Sequence, residues 1–283
     1  MEAPERAALA QAKLNLTLHV TGQRADGYHL LDSLVIFADI GDRLSVKAAL
    51  GLTLRAVGPY GDEVPPGADN LVLRAARLIG GRDAAITLDK QLPVASGMGG
   101  GSADAAAILR LLSQEQGLTL PDTDALMGLG ADLPVCMQAP QPCRMQGLGE
   151  VVTPLRGVPG LALVIVNPGV PLSTPAVFRA LSHRHNPPMP AVLPDWPDVG
   201  AFCNWLSGMR NDLQAPACTL LPQIGGVIDA LARQPGCLLA RMTGSGATCF
   251  GIFATLQQAR AARDALERPG WFTATAQSAH RAP

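Results

Sequence analysis

A run of small residues, Pro93-Val94-Ala95-Ser96-Gly97-Met98-Gly99-Gly100-Gly101-Ser102-Ala103, leads directly into an Ala/Leu-rich segment that continues to Leu112. Small side chains let a backbone approach a ligand closely, and amides at a helix start point outward toward an anion. The helix dipole adds a favourable potential for negative charge there. The segment therefore reads as a polyphosphate cradle, with a tight turn into a helix as the plain alternative. It is not a Walker A loop, because no Gly-Lys-Ser/Thr ends it, and it does not follow an opening strand as a dinucleotide fingerprint does. A second cluster, Met242-Thr243-Gly244-Ser245-Gly246-Ala247-Thr248, lies between two short apolar runs. Alone it is a hairpin-like turn; beside the first loop it offers a second wall over the same phosphates.

Charged and aromatic residues add to this. The chain carries 22 cationic residues, of which only Lys13, Lys47 and Lys90 are lysines, so a lysine within the apolar strand at Lys13 raises a question. Drift in surface composition is the simple answer. Asp132 sits in Gly130-Ala131-Asp132-Leu133-Pro134-Val135, where an idle charge is costly to bury; a helix or turn cap is the other reading. Tyr28 and His29 share a Gly-flanked loop, and a ring stacked on a base contributes roughly 1–3 kcal/mol. Tyr28 also fits a core-edge aromatic, and Phe178 a core residue. His183 and His185 form a His-x-His pair with no third ligand nearby and read as solvated.

These residues need elements to hold them. Residues 13–20 alternate, with Leu14, Leu16, Leu18 and Val20 on one side and Lys13, Asn15, Thr17 and His19 on the other, which predicts a half-buried strand with a polar face. Asn15, sharing that face with Lys13, is a candidate substrate contact. Residues 30–40 and 42–49 predict two further strands broken at Gly41-Asp42. Asp69 or Asn70 caps a helix beginning at Leu71. Further helices are expected over 122–130, 201–209, 223–233 and 256–267, and strands over 85–88, 161–166, 238–242 and 248–253. Residues 183–199, with five prolines, predict a surface loop. Strands and helices mix throughout, which indicates an α+β or α/β class. At 283 residues the chain suits one large or two modest domains, and the division is expected near 155, giving 1–155 and 156–283.

Composition excludes several classes. Hydrophobic residues form 48% and charged residues 16%, so a packed core is available and general disorder is excluded. The formal charge is −1, with no basic stripe to neutralise a nucleic-acid backbone. The longest apolar run, Leu161 to Val166, is far short of the ~20 residues of a membrane span. The first twelve residues show no apolar leader core. Six cysteines without Cys-x-x-Cys spacing read as free, mostly buried thiols of a reducing, cytoplasmic compartment.

Three segments together resemble the motifs of the GHMP small-molecule kinases: the strand opening Ala12-Lys13-Leu14-Asn15-Leu16, the Pro93 to Asp104 loop, and the late Gly244-Ser245-Gly246-Ala247 turn. The block 12–33 is similar to a branch of that family whose acceptor alcohol carries a cytidine diphosphate. Asp69-Asn70-Leu71-Val72, Leu129 to Pro134 and Asn211-Asp212-Leu213 fall in the same order. Ala95 stands where many relatives have Gly, and Ala103 where many have Ser. The resemblance implies a two-domain α+β kinase with its active site in the inter-domain cleft. It implies ATP held by residues 93–103, Mg2+ near Ser102, Asp132 as the carboxylate that meets the acceptor hydroxyl, and Lys13 as the cation. Asp104 is the next candidate for the carboxylate. By the same resemblance Tyr28 and His29 hold the cytosine, and Phe178, after Thr174-Pro175, packs on it. The partner is then a small-molecule substrate, with no nucleic acid or membrane, and the chain a monomer or weak homodimer. A mevalonate-, homoserine- or galactose-type kinase shares the glycine loop without the Tyr-His pair. An oxidoreductase or a non-catalytic nucleotide-binding module remains a reading of the loop alone.

Overall fold

The computed structural model describes residues 6–279; the first five residues of the segment read for a leader lie outside them. Strands β1 (Arg6–Asn15), β2 (His19–Gln23), β3 (His29–Ala48), β4 (Leu52–Val57), β5 (Ala84–Asp89), β6 (Cys143–Gly147) and β7 (Val151–Pro154) form a seven-stranded sheet. Strands β8 (Ala162–Asn167), β9 (Cys237–Met242), β10 (Cys249–Phe253) and β11 (Phe272–Gln277) form a second sheet in the order β11-β8-β10-β9. Helices α1 (Leu71–Leu78), α2 (Gly100–Gln116), α3 (Thr123–Leu129) and α4 (Leu133–Cys136) are interleaved with the first sheet. Helices α5 (Thr174–Arg179), α6 (Val199–Ser207), α7 (Gln214–Leu220), α8 (Gln223–Ala232) and α9 (Leu256–Leu266) belong with the second. The class is α+β, and the chain passes from one sheet to the other between Pro154 and Ala162.

β3 organises the first sheet, pairing β1 and β2 along one edge and β5 and β6 along the other. The break expected at Gly41-Asp42 is absent, because β3 continues through it. Gly41 serves a different end: a Cβ there would lie 2.1 Å from the Ala10 carbonyl oxygen, so only glycine lets β1 lie this close. Beyond that contact the register jumps from Gln11↔Gly41 to Lys13↔Phe37. The residues of β3 left over bulge toward the second sheet, where Ala38 bridges Ser278 and the Asp39 carboxylate accepts from the Gln277 amide. A bulge of this kind re-aims the following side chains, and Lys13 is the first residue past it.

α2 is buried along most of its length, from Ala103 through Leu109 and at Leu111 and Leu112. A helix apolar on nearly every face belongs in an interior, and its alanines allow β1 and α1 to pack closely. One core lies between the first sheet and α1 and α2. A second core is shared, with Leu14, Leu16, Leu34 and Ile36 of the first half meeting Phe202, Phe250 and Ile252 of the second. A third fills the other face of the second sheet against α8 and α9.

Two expectations change here. The polar face of residues 13–20 is not half-exposed: Lys13, Asn15, Thr17 and His19 are all buried, the last three against Thr243, Met189 and Pro187 of the second half. The strand also ends at Asn15, and Leu18 leaves it to bridge Asn211. The Pro-rich segment is not simply a surface loop either. Arg144 forms a bidentate pair with Asp32, at 2.7 Å on each side, and donates onward to the carbonyls of Met189 and Pro190. Asp32 accepts in turn from the Met189 amide, and Met189 is buried. His183 and His185 are exposed, as expected.

Among the described residues no helix is long and apolar enough to cross a membrane. Gly41→Ala should destabilise the protein by about 3 kcal/mol, because the new methyl meets backbone that cannot move aside cheaply. A thermal-denaturation midpoint lowered by roughly 6–12 °C is the expected reading, and an unchanged midpoint would show that β1 can retreat.

Candidate active site

The site begins with Lys13, whose ammonium the bulge turns inward. Its Nζ lies 3.0 Å from Asp132 Oδ2 and 3.0 Å from Asn15 Oδ1. Its side chain is 4% exposed and that of Asp132 38%, so the cation forms the wall and the carboxylate faces the cleft. Asp132 stands at the N-cap of α4, but its side chain makes no capping bond there. The capping alternative is thereby answered.

Asn15 is held on every side. Its Nδ2 donates to Ser33 Oγ at 2.7 Å, and its backbone amide donates to Thr243 Oγ1 at 2.8 Å. With Nδ2 engaged, Oδ1 is left facing the ammonium. Asn211 donates from Nδ2 to the carbonyls of Met242 and Gly244, at 2.9 Å each, and so shapes the second glycine turn. Ser33, Thr243 and Asn211 all lie in segments the sequence singles out, but no local signal marks them as supports of the site, because their contacts are long-range.

The first loop closes against this frame. The Lys13 backbone amide donates to the Met98 carbonyl at 3.0 Å, and the Thr248 amide to the Ser96 carbonyl at 3.2 Å. The two glycine clusters touch backbone to backbone: a Cβ on Gly97 would lie 2.5 Å from the Gly246 oxygen, and one on Gly244 would lie 2.7 Å from the Gly97 oxygen. Ala95 takes φ +52°, a left-handed conformation that costs a non-glycine residue about 1 kcal/mol.

The resulting cleft has a volume of about 710 Å³ and is lined by Pro93 through Gly97, Gly99 through Ser102, Lys13, Asn15, Asp132, Thr174, Phe178, Gly244 and Ser245, among others. Met98 and Ala103 do not line it. Both are buried in the cores, Met98 in the shared one and Ala103 in the first, so they contribute backbone and packing only.

On the opposite flank, the His29 ring stacks on Phe178 with centroids 4.8 Å apart and planes at 27°. His29 Nε2 is buried without a hydrogen-bond partner in the described protein. Burial, reinforced by Arg184, lowers its pKa and favours the neutral ring. Thr174 Oγ1 shares a hydrogen bond of 2.7 Å with Ser245 Oγ. Tyr28 is 64% exposed and does not line the cleft, because the turn at 24–28 projects into solvent; the core-edge alternative for this ring is thereby answered.

Asp104, the second carboxylate considered, is buried at 2% exposure with its Oδ2 2.7 Å from Lys90 Nζ. Burial raises its pKa, against the pull of Lys90. Asp132, half open to the cleft, is the one positioned to meet a substrate.

Residues 70–143 match the GHMP kinases N terminal domain, and residues 189–270 match the GHMP kinases C terminal family. The chain is 57% identical over 272 residues to 4-diphosphocytidyl-2-C-methyl-D-erythritol kinase of Cereibacter sphaeroides, covering 95% of this chain and 98% of that protein. A crystal structure of 4-(cytidine 5'-diphospho)-2C-methyl-D-erythritol kinase superimposes with a TM-score of 0.78 at 31% identity, over 96% of this chain and 98% of the other. Homoserine kinase from Cytophaga hutchinsonii, at 17% identity, shares the fold with a TM-score of 0.63 over 98% of this chain and 95% of its own. The extent of the first two matches, together with a glycine-walled cleft built around Lys13 and Asp132, means that the chain belongs to the GHMP kinases, in the 4-diphosphocytidyl-2-C-methyl-D-erythritol kinase branch.

Proposed function

We propose that this kinase transfers the γ-phosphoryl group of ATP to the 2-hydroxyl of 4-diphosphocytidyl-2-C-methyl-D-erythritol, a step of non-mevalonate isoprenoid precursor synthesis. The observation that carries the reading is the 3.0 Å contact between Lys13 and Asp132 within a cleft bounded by both glycine loops and by Phe178, on whose ring His29 stacks from outside the lining. In this reading two domains, 1–155 and 156–283, face each other across the cleft. The protein works in the cytoplasm as a monomer or weak homodimer, with small molecules as its only partners.

Phosphoryl transfer depends mainly on positioning and charge stabilisation. The amides at the start of α2 and the close-packed glycine backbones hold the triphosphate, with residues 93–103 as the cradle. The acceptor hydroxyl donates its hydrogen bond to the Asp132 carboxylate, which accepts the proton as the new bond forms. Lys13 lies beside the same carboxylate and stabilises charge shared between the acceptor oxygen and the γ-phosphate. Asn15 keeps that ammonium in place more than it contacts substrate, since both ends of its amide are engaged.

Among the described residues no group of three or more His, Cys, Asp or Glu is arranged to hold a metal. The donor set fits a cation carried in by the nucleotide, with the Ser102 hydroxyl in the first turn of α2 as the protein's contribution. A divalent cation held there would supply charge neutralisation to the triphosphate.

The cytosine is assigned to the opposite flank. Phe178 supplies a ring face, the unpartnered Nε2 of His29 supplies a hydrogen-bonding group for the base edge, and Tyr28 supplies an outer ring. Thr174, tied to Ser245, lines the path between base and phosphates.

An ADP-release assay separates the readings, since turnover is expected with the cytidine acceptor and not with mevalonate, homoserine or galactose. Turnover with one of those three instead would overturn the acceptor assignment. Asp132→Asn should lower kcat by about 10²–10⁴ while leaving both KM values nearly unchanged; near-normal kcat in the folded variant would remove Asp132 from the mechanism. Phe178→Ala should raise the acceptor KM by roughly 5- to 100-fold with ATP KM unaffected, as loss of one stacking ring requires. A rise in ATP KM alone would move the base elsewhere.

A further inference from the structure

Lys90 lies in the same cleft wall without a role in the chemistry above. It follows β5, is 4% exposed, and its Nζ is 2.6 Å from Asp42 Oδ2 on β3 and 2.7 Å from Asp104 Oδ2 on α2. The other oxygen of Asp42 accepts from the amides of Gln91 and Leu92, at 2.7 and 2.9 Å. Those two residues lead into Pro93, where the phosphate loop begins. Asp104 is the fifth residue of α2, the helix into which the loop discharges. Gly100 rests on the cluster, and a Cβ on it would lie 3.2 Å from Lys90 Nζ and 3.6 Å from Asp42 Oδ2. Asp104 Oδ1 is buried with no hydrogen-bond partner among the described residues, and Asp104 Oδ2 faces both Lys90 and the neighbouring Asp42 carboxylate.

A buried triad of charges is weak evidence for stability, because desolvation offsets most of the attraction, and its best-attested use is to specify one arrangement. Here the arrangement is specific. A single ammonium holds the entry and the exit of the loop, joining segments 14 residues apart on one side and 48 on the other. We propose that Lys90, clamped between Asp42 and Asp104, is the positioning residue of the phosphate loop, holding its two ends together so that the amides at the start of α2 are preformed for ATP. The inference rests on the reading of residues 93–103 as the ATP cradle.

The consequence is a selective one. Without the clamp the loop samples other shapes, and apparent affinity falls by the fraction that stays competent. If that fraction drops to between one-hundredth and one-tenth, ATP KM rises about 100- to 10-fold. The acceptor site, built on His29 and Phe178, is untouched, and saturating ATP restores much of kcat by selecting the competent shape. A residue that merely supported the fold would lower the melting temperature without separating the two substrates.

The test compares Asp104→Leu with Asp104→Asn, which keeps an oxygen acceptor for Lys90, by steady-state kinetics, equilibrium ATP binding and thermal denaturation. Asp104→Leu should raise ATP KM by about 10- to 100-fold with acceptor KM within about twofold, and Asp104→Asn should recover ATP KM to within about threefold of wild type. If Asp104→Leu does not fold, Asp104→Ala removes the same contact with less bulk and carries the same expectation. An ATP KM at the wild-type value in the folded Leu or Ala variant, or both KM values rising together, would overturn the inference, as would Asn performing no better than Leu. A wild-type protein that binds no ATP would overturn the reading of the cleft itself, whereas ATP binding equal in wild type and variant overturns this inference alone.

Discussion

The buried ammonium of Lys13 is the constraint around which the rest of the site is arranged. A charge removed from water demands a full set of partners, and each partner here belongs to a different part of the chain. Asp132 comes from the turn before α4, Asn15 from the end of β1, and Asn15 is itself held by Ser33 of β3 and Thr243 of the second glycine turn. The backbone amide of Lys13 itself donates to the Met98 carbonyl of the phosphate loop. Satisfying one cation therefore brings the first sheet, both glycine clusters and the acceptor carboxylate into a single geometry. The contacts that define that geometry all lie within the protein, and fixed charges of this kind are what transition-state stabilisation uses.

Two halves of the chain must keep their relative placement for this to hold. The shared core does part of that work through Leu14, Leu34, Phe202 and Phe250. Arg241 does another part, reaching from β9 to the Leu16, Leu206 and Met209 carbonyls. Burial pushes its pKa down to about 10, which leaves it charged at neutral pH. The Asp32–Arg144 pair binds the Pro-rich segment through backbone atoms at Met189 and Pro190. Between them these contacts bury the apolar side of the opening strand and tie down its backbone; its polar side is covered separately, by Thr243 at Asn15, Met189 at Thr17 and Pro187 at His19.

The glycine loop, its helix and the Asp132 turn were legible in the sequence because their signals are local: small residues, a helix start, a charge among apolar neighbours. The α+β class and a helix cap at Asp69 or Asn70, which the structure places at Asn70, follow from equally local patterns. Short strands of mixed polarity escaped notice. β6 reads Cys-Arg-Met-Gln-Gly and β11 Phe-Thr-Ala-Thr-Ala-Gln; both alternate, but they are short and carry no large aliphatic residue, so the hydrophobic signal is weak. Gly41 was mistaken for a break because its reason, the Ala10 carbonyl, lies 31 residues away. Long-range contacts hid the supports of the site as well. Ser33 and Thr243 are ordinary hydroxyl residues until folding places them 18 and 228 residues from Asn15 in sequence and within hydrogen-bond reach. The clamp on Lys90 joins three segments that share no pattern. Tyr28 carries no local signal for its placement either: its ring is exposed on the turn at 24–28 and not set at the edge of a core.

The central claim is that Lys13 and Asp132 act as one unit, and a double-mutant cycle on kcat tests it most directly. Lys13→Met, Asp132→Asn and the pair would be compared at saturating ATP and cytidine acceptor, with folding verified for each. Residues that act together are strongly non-additive, so the double variant should be about as slow as the slower single variant. Losses that multiply in the double variant would contradict the account, because they would show two independent contributions in place of one coupled site.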